Sequence, residues 1–214
     1  MNTCSLFLLV AAGGCASYSS RMGGRVLAPG AGELGLAVDV LVVERGHDYA
    51  AWPLPELSFR RGVRPGIDVG GKVHFLGLES SVRFGLLDRA RVSVATTAGL
   101  ALGYEPVTNN STDLIYARAV PRLILELKPP DPASWSPTWI ISASPSLTFT
   151  GPLTMFAGIT EAARFIVRPG VAAATRWPMP RGRAFWLELG AHPAYVIGGG
   201  WLRTAFQGGA ALTW

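Results

Sequence analysis

From Leu34 to Trp214 the chain alternates apolar residues with polar or small ones at a period of two. In "RVSVATTAGLALGY", Arg91 to Tyr104, one set is Val92, Val94, Thr96, Ala98, Leu100, Leu102 and Tyr104. The other is Arg91, Ser93, Ala95, Thr97, Gly99, Ala101 and Gly103. Successive side chains of a strand point to opposite faces, so this segment reads as a strand with one greasy face and one small, polar face. The rhythm recurs in "LGLAVDVLV" (34–42), "PELSF" (55–59), "IDVGGKVHF" (67–75), "LESSVRFGL" (78–86), "LIYARAVPRLILELK" (114–128), "TWIISASPSLTFT" (138–150), "RFIVRPGVAAATRW" (164–177), "RAFWLELGAHPAYV" (183–196) and "WLRTAFQGGAALTW" (201–214). Ten strands are therefore expected.

Two environments suit such strands. A soluble sheet turns the greasy face inward, and a transmembrane barrel turns it outward. Strand length favours the barrel, because most segments match the roughly 9–11 residues of a tilted spanning strand and exceed the usual 5–6 of soluble sheets. The second face agrees. It mixes Gly, Ala, Ser and Thr with single arginines and acids, as a narrow interior needs, whereas a water-facing surface is dense in Lys and Glu. Aromatics gather near segment ends (Phe59, Phe75, Tyr104, Trp139, Phe149, Trp177, Tyr195, Trp214), where a barrel carries interfacial girdles. The expected fold is an all-β, antiparallel up-and-down transmembrane β-barrel of about ten strands, with eight and twelve as alternatives. An even number puts both ends of the barrel chain on one side. "RGVRPG", "LDRA" and "PMPRG" would be turns there, and "RGHDYAAW", "EPVTNNSTD" and "GPLTMFAGITEA" loops at the other side. Pro121, Pro145, Pro169 and Pro193 stand against continuous ladders, since proline donates no hydrogen bond and belongs at edges or bulges. "FAGITEAARFI", 156–166, is the nearest approach to a helical period and reads as a short helical loop.

Composition sharpens this picture in three ways. The chain is 49% hydrophobic and 15% charged, yet no apolar run reaches the 18 residues of a transmembrane helix. The net charge of +5 comes from arginines scattered singly, not from a basic run, so no nucleic-acid partner is expected. Cys4 and Cys15 are both in the leader, which leaves the body without a thiol.

The leader "MNTCSLFLLVAAGGCASYSS" has an apolar core from Leu6 to Ala12, then small residues, then Cys15. That is the shape of a secretory signal peptide. It resembles a bacterial lipoprotein signal, whose closing cysteine is lipidated; the resemblance implies a lipid on Cys15 and, with Ala16 next, no retention at the inner membrane. Residues 1–15 are thus expected to be a signal peptide, 16–32 a tether or linker, and 33–214 the barrel. Beyond the leader, "GGRVLAPGAGELGLAVDV", "PELSFRRGVRPGIDVGGKV", "SSVRFGLLDRARVSVA" and the terminal strand resemble small outer-membrane β-barrel proteins of Gram-negative bacteria, in a lipoprotein-like subgroup. In that family the last strand carries an assembly signal of alternating apolar positions and a final aromatic. Phe206, Leu212 and Trp214 occupy those positions, with Leu212 where an aromatic is more usual. The resemblance implies an outer-membrane location, with membrane lipid and the barrel-assembly and lipoprotein-sorting machineries as partners.

With the greasy face toward lipid, the other face carries a charge network of Arg60, Lys72, Glu79, Arg83, Arg91, Arg118, Arg122, Glu126, Arg164, Arg168, Arg176, Glu188 and Arg203, beside Asp39, Glu56, Asp68, His74 and His192. Unpaired charges in a narrow interior are costly, so these are expected to pair and fill the lumen. The role expected is structural, or a narrow channel for small anions that uses the excess of positive charge. A periplasmic lipoprotein sandwich or calyx binding an apolar ligand is the alternative. A barrel enzyme acting on lipids is a weaker one, built on His74 or His192 with Glu79 or Glu188 and Ser81 or Ser142. No fixed spacing links those residues, so no catalytic set is assigned and the protein is expected not to be an enzyme. No metal-ligand spacing and no phosphate loop occur, and no cofactor is expected.

Overall fold

A computed structural model describes residues 23–45, 48–74, 77–105, 114–131, 136–152, 164–198 and 200–214. Strands β1 (Gly32–Arg45), β2 (Asp48–Arg64), β3 (Ile67–His74), β4 (Gly77–Asp88) and β5 (Val92–Glu105) follow one another as antiparallel neighbours. Then come β6 (Leu114–Ala119), β7 (Arg122–Leu127), β8 (Thr138–Pro152), β9 (Arg164–Pro178), β10 (Ala184–Val196) and β11 (Gly200–Thr213). Strand β11 pairs with β1, and β5 with β4, so the sheet closes on itself. β6 and β7 both lie between β5 and β8 and are two halves of one stave. The fold is a closed antiparallel barrel of ten strands.

The prolines explain the irregularities. Pro121 falls in the break between β6 and β7, while Val120 N–H still bonds the Gly99 carbonyl at 2.8 Å. Pro145 and Pro169 stand opposite each other on β8 and β9, both facing outward. Pro193 lies where the β9–β10 ladder is interrupted between Ala191 and Tyr195. Proline therefore divides one stave and loosens another without opening the ring. Two expectations need correction. "DYAAW" is strand and not loop, because the β1–β2 hairpin stays in register from Leu34↔Phe59 out to Arg45↔Asp48. Of the run read as a helical loop, Arg164, Phe165 and Ile166 begin β9 as strand; 156–163 lie outside the described residues.

The two faces divide as the period requires. Outward positions on every stave include Leu36, Leu57, Val73, Leu78, Leu100, Leu123, Ile141, Val171, Leu189 and Leu212, with Leu189 72% exposed. Inward positions carry the buried charges together with small residues such as Ser142, Ser144, Ala172 and Ala174. In the quoted segment Ser93, Ala95, Thr97 and Ala101 are buried inside and Leu100 and Leu102 are exposed outside.

Residues 23–31 run across the barrel end at which β1 begins and β11 finishes. Gly30 N–H bonds the Gly62 carbonyl, and Gly62 N–H returns a bond to the Ala31 carbonyl, both at 2.9 Å. A side chain at Gly62 would overlap the Ala28 carbonyl, so glycine is needed for this approach. Gly62→Ala is expected to cost about 1–3 kcal/mol by overpacking. Hydrogen exchange would show it as faster exchange at Leu27 and Gly30, with β8 and β9 amides still protected.

Candidate functional site

The interior is the site the sequence singled out, and it is layered. Nearest the end spanned by residues 23–31, Asp68 on β3 collects donors from three elements. Its Oδ2 accepts Arg60 Nη2 at 2.7 Å, Arg83 Nη2 at 2.5 Å and Nε at 3.1 Å, and Leu27 N–H at 3.0 Å. Arg60 also reaches Glu33 Oε1 at 3.1 Å, and Arg83 donates to the Gly23 carbonyl. The strand register makes this convergence possible, because Asp68 pairs with Arg83 across β3–β4 and Glu33 with Arg60 across β1–β2. Glu126 lies at the same end and accepts Arg25 N–H at 3.1 Å. Two buried carboxylates thus hold the backbone of the crossing segment. Beneath it remains a polar cavity of about 250 Å³, lined in part by Arg25, Glu33, Arg60, Glu126 and Trp186.

In the middle layer Arg122 meets Glu79 in a two-pronged pair, Nη1 to Oε1 at 2.6 Å and Nη2 to Oε2 at 2.9 Å. The fixed fork of guanidinium matches carboxylate geometry, which makes arginine suited to a dry pair. Lys72, in register with Glu79, lies 3.9 Å from Glu56. Further along, Arg118 packs over the Tyr116 ring at 5.7 Å, and Arg168 Nη1 donates to Thr148 Oγ1 at 3.0 Å. His192 occupies the space above Gly170, where a side chain would overlap its imidazole.

The structure places most of the sequence-expected residues inside. Arg60, Lys72, Glu79, Arg83, Arg118, Arg122, Glu126, Arg168 and Glu188 are all buried. Arg176 is half-buried over the Trp186 ring at 5.3 Å. Arg91 is not inside. The β4–β5 hairpin pairs Asp88 with Ser93, so the barrel wall begins at Val92 and Arg91 lies exposed in the turn. Arg164 and Arg203 lie on β9 and β11, their side chains outside the described residues, as is Cys15. Phe206, Leu212 and Trp214 lie on the outward face at 46–47% exposure.

The charge balance is struck over fewer cations than the sequence suggests, because Arg91 lies in a turn, Arg176 is only half-buried, and the side chains of Arg164 and Arg203 are outside the described residues. Among the described residues, the six buried cations Arg60, Lys72, Arg83, Arg118, Arg122 and Arg168 match the six buried carboxylates Asp39, Glu56, Asp68, Glu79, Glu126 and Glu188. The interior also holds two apolar clusters that the charge list passed over. One is Leu41, Leu54, Ala101, Tyr116, Val120 and Ala205; the other includes Ile124, Ile140 and Trp186, whose indole donates to Thr213 Oγ1 at 3.1 Å. Their parity was the available signal, since Leu41 shares a face with Asp39 and Trp186 with Glu188. Among the candidate catalytic residues, His74, His192, Glu79, Glu188, Ser81 and Ser142 are all buried in the interior. Among the described residues no group of His, Cys, Asp and Glu is arranged to hold a metal ion.

At the rim, beyond the greasy belt, Asp88 accepts Lys128 Nζ at 2.5 Å and Ser93 Oγ at 2.6 Å. The Lys128 hydrogen bond, and then that of Ser93, holds its carboxyl below the usual carboxylate range.

No family model and no curated protein matches this chain. Among solved structures it is similar to Neisserial surface protein A, at 11% identity and a TM-score of 0.45, over 85% of this chain and 95% of that one. It is also similar to Ail, the attachment invasion locus protein of Yersinia pestis, at 10% identity and a TM-score of 0.31, over 87% of this chain and 99% of that one.

Arg122→Met would leave Glu79 buried without its guanidinium, a change expected to cost about 3–5 kcal/mol. Adding Glu79→Gln should restore much of that loss, because the uncompensated charge goes too. Urea unfolding of the wild type, both single variants and the double variant in detergent micelles measures the coupling.

Proposed function

We propose that the chain is a bacterial outer-membrane β-barrel protein with a structural role, its lumen sealed by an arginine–carboxylate network. The observation that carries this reading is the inverted distribution of residues. Large apolar side chains are exposed around the whole ring, and charges are buried inside it. Soluble monomers rarely expose apolar patches above a few hundred Å², so a continuous belt needs an apolar solvent. A closed barrel satisfies every wall hydrogen bond, which lets strands cross a bilayer. An apolar-ligand calyx needs the opposite arrangement, with the greasy face toward the cavity.

A sealed lumen is supported by three features. The described buried charges balance, the Arg122–Glu79 pair and the apolar clusters occupy the interior, and residues 23–31 cover one mouth. Among the described residues, the fully buried charges leave no surplus of cations on which anion selectivity would rest. The reading is non-enzymatic: an enzyme acting on lipids needs its base open to a leaflet, whereas His74 and His192 are buried in the interior. In the same reading Cys15 carries a lipid, and the outward Phe206, Leu212 and Trp214 form the signal read during assembly.

The full chain in detergent is expected to migrate differently on gels with and without heating and to require detergent for solubility. Planar bilayers should show no sustained conductance; steady anion currents would replace the sealed-lumen reading with a channel. A protein soluble without detergent and unaltered by heating would remove the membrane reading. Leu189→Arg, at the middle of the belt, should cost about 2–4 kcal/mol of stability in phospholipid vesicles. In cells, labelled palmitate should enter the wild type and not Cys15→Ser.

A further inference from the structure

Among the described residues, the two ends of the barrel differ in charge. At the end where β1 begins and β11 finishes, each of three turns presents a pair of exposed arginines. Arg61 and Arg64 lie at the end of β2, just before the β2–β3 turn, Arg89 and Arg91 lie in the β4–β5 turn, and Arg181 and Arg183 in the β9–β10 turn. Arg25, on the crossing segment, is exposed there as well. The exposed acids of this end, among the described residues, are Asp88, which accepts Lys128 and lies within 3.9 Å of Arg25, and Asp131. Among the described residues, the strand ends opposite carry Glu44, Arg45, Asp48, Glu105 and Arg164, a set of mixed sign.

The position of the arginines relative to the greasy belt is the second observation. Arg61 lies between the outward, exposed Phe59 and Val63. Arg89 and Arg91 follow the exposed Leu86 and Leu87. Arg181 and Arg183 follow Met179, beside Trp177, whose ring packs on Phe185 at 5.9 Å. Each pair therefore stands at the depth where an apolar belt meets water, and long basic side chains reach from such positions to phosphate.

We propose that this arginine ring binds the phosphate headgroups of anionic phospholipids in the leaflet that surrounds the barrel's terminal end. The inference rests on the membrane reading above. Its geometry favours lipid over an acidic protein, because the charges are spread over three separate turns at one end of the barrel. A fluid anionic surface contacts all of them at once; a protein patch meets one side.

The test uses the full-length wild type reconstituted in vesicles of phosphatidylcholine mixed with phosphatidylglycerol. Spin-labelled phosphatidylglycerol and spin-labelled phosphatidylcholine report which lipid is held at the protein boundary. A severalfold preference for phosphatidylglycerol at low salt is expected, falling toward none in high salt as screening requires. A variant carrying Gln at Arg61, Arg64, Arg89, Arg91, Arg181 and Arg183 should lose the preference, whereas Glu105→Gln should keep it. A folded, heat-modifiable wild type without preference overturns the ring proposal and leaves the membrane reading intact; that is also the outcome if an acidic protein is the true occupant. A preference that survives the sixfold substitution overturns it as well. A chain that stays soluble and enters no vesicle overturns the membrane reading itself.

Discussion

Closure of the hydrogen-bonded ring is the constraint from which the rest of this structure follows. Once β11 pairs with β1, no strand edge remains, and every wall residue must face either inward or outward. Period two then assigns half of the side chains to a narrow interior. Large residues cannot fill all of those positions, so Gly, Ala, Ser and Thr alternate with a few long ones. Many of the long ones are charged, and charges at such low exposure are tolerable only in pairs. The two-pronged Arg122–Glu79 pair and the four donors converging on Asp68 Oδ2 are what the closed ring demands of its contents.

The prolines show how much irregularity the ring accepts. Pro145 and Pro169 face each other outward on adjacent strands, where each lacks a donor and the ladder still runs in register on both sides. Pro121 is more disruptive and splits a stave, yet β5 and β8 pair with both halves and hold the gap closed. A lost donor at one residue is a local matter when two complete neighbouring strands bracket it.

Much of this was legible in the alternation. Strand number, the outward set from Leu36 to Leu189, and the inward placement of Arg60, Glu79, Arg83 and Arg122 all follow from parity alone. What parity cannot supply is where the wall stops. Arg91 has the inward phase of Ser93 and Ala95, but it lies one residue outside the sheet, in a turn set by the Asp88↔Ser93 pairing. The same blindness hid the length of β2, where Pro53 and Pro55 masked a strand that its partner β1 keeps in register. Nor does parity rank the interior: Leu41 and Trp186 share the inward phase with Asp39 and Glu188, and only the curvature of the closed ring brings apolar residues from distant strands into clusters.

The crossing segment shows what the interior charges accomplish beyond neutralising one another. Asp68 and Glu126 each spend a carboxylate oxygen on a backbone N–H, of Leu27 and of Arg25. A carboxylate fully consumed by guanidinium would have nothing left for the chain. Asp68 is the informative case, because its single oxygen serves Arg60, Arg83 and Leu27 together, tying the segment to both strands that flank β3. Releasing residues 23–31 would therefore disturb the pairing inside the barrel as well as uncover its mouth. Segment and network stabilise each other, and the closed end is a property of the charge arrangement as much as of the chain that covers it.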